Sequence, residues 1–248
     1  SYASMSGTSM ATPNTSGALG LLLEHHQDLN GSSATMRSAT LKGLIIHTAH
    51  EAGSNDGPDY KFGWGLLNIE GAAEVMSTND DRDEDYDIQE LTLDNNETEE
   101  ITGYSDGSDP IRVTICWTDP AASSPSLSLD DRTAMLVNDL DLSISKGGST
   151  YYPYKLSYSN PSNAATTGDN DVDNVEQVYI EDPDAGIYTI SIEHEGSLDG
   201  NSQDFSIIIS GLEPETEPIF NYDPEDISIC PGTTASFSSS ASGAEITY

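Results

Sequence analysis

Positive charge is scarce in this sequence. Its 248 residues carry eight Lys and Arg against 43 Asp and Glu, a formal net charge of −35. A field of that sign excludes nucleic-acid binding by phosphate neutralisation, which needs basic patches. Cysteine is scarcer still: Cys116 and Cys230 alone cannot make a disulfide framework. Cys116 lies in the apolar run Ile111–Trp117 and reads as a small core residue, with nothing nearby in sequence to lower its pKa. Aromatics are 7% of the chain, enough for a core in part of it. No apolar run approaches the roughly 20 residues of a membrane-spanning helix, which excludes a span.

What charge there is falls unevenly. Residues 1–77 hold seven acidic and three basic residues, whereas 78–248 hold 36 and five. The second part therefore carries most of the negative field. Such a surface is well solvated and supplies oxygen ligands for Ca2+.

The stretch Ser4-Met5-Ser6-Gly7-Thr8-Ser9-Met10-Ala11-Thr12-Pro13 carries the clearest chemistry. It places the Ser9 hydroxyl at the mouth of an apolar helix, where free N–H groups and the positive dipole end can stabilise an oxyanion. Gly7 lets a substrate backbone come close, and Pro13 suits a first helical turn. The run resembles the catalytic-serine motif of the subtilases. The resemblance implies that Ser9 is a nucleophile, supported by Gly7, Thr8 and Met10, with half of the oxyanion hole supplied by the Ser9 N–H.

A serine hydroxyl is a poor nucleophile until a base takes its proton, and that base is usually a histidine oriented by a carboxylate. In subtilases the Asp and His precede the Ser. Here eight residues precede Ser9 and none is Asp or His; His25, His26, His47, His50 and His194 all follow it. The expectation is a C-terminal part of a catalytic domain, inactive alone, that partners the upstream part of the same domain. His25, His26, His47 and His50 read as helix-end residues whose charge complements the dipole; no H-E-x-x-H spacing supports a metal among the histidines.

Residues 1–77 read as helical: an apolar run from Thr15 to Asp28, a helix over about 33–49, and a short helix from Ile69 to Met76. Between the last two, Tyr60-Lys61-Phe62-Gly63-Trp64-Gly65-Leu66-Leu67-Asn68 and Glu70-Gly71-Ala72-Ala73 resemble the closing strand and helix of the subtilase domain. The acidic stretch 78–87 reads as a linker.

From Ile88 the period changes to short strands with Gly, Asp, Asn, Ser and Pro loops, over 88–93, 99–102, 111–117, 137–144, 150–153, 175–180, 186–193 and 204–209. That pattern predicts an all-β jelly-roll sandwich over 88–212. Leu136–Leu142, Asp173–Val178 and Ala185–Ile190 resemble the C-terminal jelly roll of the alkaline, oxidant-resistant subtilases, related to the proprotein-convertase P domain. The fold expected overall is thus an α/β catalytic-domain portion, mainly helical here, followed by that sandwich. Residues 213–248 read as a linker and the opening of an Ig-like or PKD-like module.

Alternation puts Asp139 and Asp141 on one face of a strand, opposite Leu140 and Leu142. The loop 168–174 adds Asp169, Asp171 and Asp173 without EF-hand spacing. Two readings stay open, a structural Ca2+ near these carboxylates and a solvated acidic loop; related jelly rolls carrying Ca2+ favour the first.

The functional expectation is a subtilisin-like serine endopeptidase that cleaves extracellular proteins or peptides and is itself secreted, whether released or held at the cell surface. The alternative is a non-catalytic adhesive or carbohydrate-binding β-module, for which Tyr151, Tyr152, Tyr154 and Tyr158 are the nearest aromatic group.

Overall fold

The computed structural model describes residues 5–81, 86–125, 128–129 and 131–214, with the backbone of 219–222 and 240–242. Three helices come first: α1 (Thr8–Asn30), α2 (Ser38–His47) and α3 (Ile69–Asp80). Strands follow: β1 (Ile88–Asp94), β2 (Glu99–Ser105), β3 (Ile111–Trp117), β4 (Leu140–Lys146), β5 (Ser149–Tyr151), β6 (Tyr154–Lys155), β7 (Thr166–Thr167), β8 (Val175–Ile180), β9 (Gly186–His194), β10 (Ser202–Ser210) and β11 (Glu213–Pro214). Further on, β12 (Ile219–Tyr222) pairs with β13 (Ser240–Ser242); Cys230 lies outside the described residues.

Every strand pair is antiparallel. One sheet has the order β1-β10-β3-β8 and a second the order β11-β2-β9-β4-β5. Their facing sides share one core, built from Val113, Ile115, Trp117, Phe205, Ile207 and Ile209 on the first sheet and Leu140, Leu142, Ile144, Tyr188, Ile190 and Ile192 on the second. Register aligns the large residues: Phe205 lies opposite Trp117 and Ile207 opposite Ile115. The Trp117 indole would be a buried unpaired donor, but its Nε1 donates to the Asn138 carbonyl at 2.9 Å. The fold is mixed and sheet-rich.

The outer face of the first sheet is covered too, which explains why β3 and β10 are buried on both sides. Helix α2 lies there. Gly43 permits the approach, since a Cβ at that position would stand 2.5 Å from the Ile208 Cδ1 atom. Around it, Leu22, Leu44, Ala72, Met76, Ile88 and Ile208 form a second core joining the helices to the sheet.

The seam is also strongly polar. Thr40 Oγ1 meets Ser206 Oγ at 2.8 Å, and Lys42 Nζ donates to Asn174 Oδ1 at 2.7 Å. Arg37 donates from Nη1 to the Leu91 and Phe205 carbonyls at 2.8 and 2.9 Å. His47 is buried, with Nδ1 2.9 Å from Thr114 Oγ1 and Nε2 2.8 Å from Ser210 Oγ. Burial and the neighbouring Arg112 push its pKa down to about 3, so the ring is neutral. The sequence reading of His47 as a cation at the helix end is thereby corrected.

Several element bounds differ from expectation for visible reasons. Helix α1 starts at Thr8, so Pro13 lies inside the helix rather than in its first turn. Helix α2 starts at Ser38 because the Arg37 N–H is taken by Glu90 Oε1 at 2.7 Å. Strand β4 starts at Leu140 because Asp119 accepts from the Val137 and Asn138 N–H groups at 2.9 and 2.8 Å. Helix α3 continues to Asp80, and Tyr86 and Asp87 are buried, so the ends of the expected acidic linker pack; residues 82–85 lie outside the described set.

Asn68 caps α3 by accepting from the Gly71 N–H at 3.0 Å. Asn68→Ala is expected to cost about 1 kcal/mol, read as a lower urea midpoint with unchanged slope.

Candidate functional site

Ser9 stands in the first turn of α1, exposed, behind Gly7 at φ 148°. Only glycine adopts that backbone without strain. The Met10 and Ala11 N–H groups turn back onto the Gly7 carbonyl at 3.0 and 3.2 Å. Among the described residues nothing accepts from the Ser9 N–H, as expected of a helix start. Pro13 has no N–H, so the Ser9 carbonyl also lacks its intrahelical donor. Thr8 and Met10 are exposed beside it. A hydroxyl with free N–H groups at a helix start can attack a carbonyl and stabilise the resulting oxyanion once a base is supplied.

No described histidine is that base. His25 Nε2 bonds Ser77 Oγ at 3.0 Å, tying α1 to α3, and His26 pairs with Asn30. His47 is inside the seam. His50 bridges through its backbone to Leu66, and His194 Nε2 accepts from the Asn96 N–H at 2.7 Å. The upper part of α1 is bare as well: Leu22 alone is buried along the helix, and Leu21 is 61% exposed.

The second candidate centre lies on β4. The structure brings Asp139, Asp141, Asp169 and Asp171 near one another, together with Glu193 and Glu195 of β9 and its following loop. Desolvation first, then Asp171 and Asp169, pushes the Asp139 pKa up to about 6. Desolvation followed by Asp139 and Asp169 pushes Asp141 up to about 7. The Asp173 carboxylate accepts from Asn170 Nδ2 at 3.2 Å.

The sequence reading missed Glu176. This side chain is 1% exposed on β8, and its Oε2 accepts from the Leu142 N–H at 2.7 Å. Burial pushes its pKa up to about 9. The signal was present as one carboxylate inside the apolar run Val175–Ile180. A cavity of about 300 Å3 is lined by Asp141, Asp169, Glu176, Glu193 and Glu195.

Any fit to Ca2+ would rest on three buried oxygens that have no hydrogen-bond partner among the described residues: Asp139 Oδ1, Asn170 Oδ1 and Glu176 Oε1. All three are hard acceptors of the kind this ion takes. Among the described residues, however, no three His, Cys, Asp or Glu side chains are arranged as a ready metal cage. An ion here would draw on the Asn170 amide oxygen as well as on the carboxylates.

No described helix is long and apolar enough to cross a membrane. Comparison with known families bears on the first of the two centres. Residues 1–65, which contain Ser9 and its flanking motif, match the model of the subtilase family (peptidase S8), and that match supports a serine-protease function whose substrates are proteins.

Proposed function

We propose that this chain is part of a secreted subtilisin-like serine endopeptidase in which Ser9 is the nucleophile. The observation that carries the reading is the Ser9 hydroxyl on a glycine-preceded helix start within the matched segment. In that role Ser9 Oγ attacks the scissile carbonyl while its own N–H faces the oxyanion. No described histidine bonds Ser9, so the base and its orienting carboxylate are read as supplied by the rest of the protease, and the 248-residue chain alone is expected to hydrolyse no peptide. In the complete protease carrying this chain, Ser9→Ala is expected to abolish casein hydrolysis with the fold intact. Undiminished hydrolysis in that variant would remove Ser9 from the mechanism.

The two-sheet unit is read as a jelly roll of the P-domain kind, seated on the catalytic segment through α2. Its proposed structural Ca2+ is held by Asp139 and Asp141, with Asn170 and Glu176 supplying the further oxygens and Asp169 and Asp171 the surrounding field. Bound there, the ion would offset carboxylate repulsion and tie β4 to β8. The glycan-binding alternative gains little: Tyr151 packs against the core and Tyr158 lies beneath Arg132 at 4.5 Å.

A further inference from the structure

A cavity of about 210 Å3 opens at the seam between the helical segment and the first sheet. It shares no lining residue with the Ser9 motif or the acidic cavity on β4. Glu51, Asp56, Gly57 and Trp64 form the side contributed by the helical segment; Tyr154, Gln177, Tyr179 and Glu181 form the other. We propose that it binds the side chain of a lysine presented by a polypeptide.

Three features converge on that ligand. Gln177 is 5% exposed, and its Nε2 is committed to Thr114 Oγ1 at 2.9 Å. Its Oε1 accepts from no described residue, which leaves an acceptor for a donor arriving through the cavity. An ammonium group has three donors and no acceptor. Next, the Trp64 and Tyr154 rings line the space beside Tyr179, and aromatic faces attract a partly desolvated cation while covering an aliphatic stem. Last, Glu51, Asp56 and Glu181 stand exposed around it. Their field is felt inside, since Asp56 and Glu51 both help raise the Tyr154 pKa, after desolvation as the main cause.

Arg112 also lines the cavity, but its guanidinium stacks on Tyr179 at 4.9 Å and donates to the His47 carbonyl at 2.6 Å. One cation, whose Nε finds no acceptor among the described residues, thus faces three carboxylates. The wall is built rather than loose: Gly57, at φ +73°, lies so close to Tyr154 that a Cβ would come 2.7 Å from its ring. Glu51 holds this loop by accepting from the Ala52 and Gly57 N–H groups at 2.8 and 2.9 Å. The volume is below the roughly 300–1,000 Å3 of pockets for drug-sized ligands, which suits one side chain.

The test is a titration of the 248-residue chain with Nα-acetyl-lysine methylamide, followed through the tryptophan indole N–H resonances. Trp64 reports on the cavity, and Trp117, buried and bonded to Asn138, is the internal reference. A saturable shift of Trp64 alone is expected, absent with the norleucine analogue of equal shape. In Asp56→Asn/Glu181→Gln, whose changes are exposed and spare the fold, Kd should rise about tenfold. An equal response to norleucine, an unchanged Kd in the double variant, or no saturable shift at millimolar lysine analogue would each overturn the proposal. Binding is read without proteolysis, so Ser9→Ala protein gives the same titration whether or not Ser9 is a nucleophile.

Discussion

Ile208→Ala should lower unfolding stability by about 2–5 kcal/mol, the range for emptying a buried aliphatic site. The side chain is fully buried and faces away from the inter-sheet core, into the cluster formed with Leu22, Leu44, Ala72, Met76 and Ile88. It lies against Gly43 of α2. Its loss therefore weakens the attachment of the helices as much as the sheet. In native-state hydrogen exchange, the α2 and α3 amides should lose protection together with those of β10. If the helices instead melted in a separate earlier transition, with β10 protection unchanged, the seam would not be the joint described here.

The second large effect is a loss of stability as pH rises without Ca2+, reversed by the ion. Glu176 has a folded pKa of about 9, well above its unfolded value. The folded state therefore holds a proton that the unfolded state has released, and stability falls as pH climbs between the two values. His47 acts in the opposite sense, because its folded pKa of about 3 costs stability as pH falls below about 6.5. Between about pH 4.5 and 6.5 the two slopes oppose each other; above that only the carboxylate remains. Apo protein should then lose roughly 3 kcal/mol from pH 6.5 to 9, about 6–12 °C in Tm. Asp141, held at about 7 but half-exposed, adds a smaller loss at the lower end of that window. Millimolar Ca2+ should restore the Tm at pH 8.5 and do little at pH 5, since ligation needs ionised carboxylates. Glu176→Gln should flatten the apo profile. A Tm at pH 8.5 that ignores both Ca2+ and chelator would discard the metal reading.

Some of this molecule could be read from its residues and some could not. Strands β3 and β8 fall on the expected bounds because their β-branched runs and flanking turn residues act locally. The serine motif is equally local, since Gly7, Ser9 and the apolar run after it need no distant partner to be recognised. The seam was hidden. Thr114, Ser206 and Ser210 look like ordinary outward-facing strand residues, and only the arrival of α2 makes them covered partners of Thr40 and His47. The run Ile207-Ile208-Ile209 did carry a hint, because three consecutive apolar residues leave neither face of a strand polar. Glu176 escaped notice for a related reason: its burial depends on β4 crossing above it, which no spacing along the chain announces. Asp173 was grouped with its neighbours by sequence, and its hydrogen bond from the Asn170 amide is a contact that spacing alone does not announce.

The most direct test of the account is fluorophosphonate labelling of the natural protein that carries this sequence, with the modified residue mapped by peptide mass spectrometry. The account predicts one adduct, on Ser9, lost in Ser9→Ala and blocked by a peptide substrate. Labelling at another serine, or an active protease whose Ser9 stays unmodified, would contradict it.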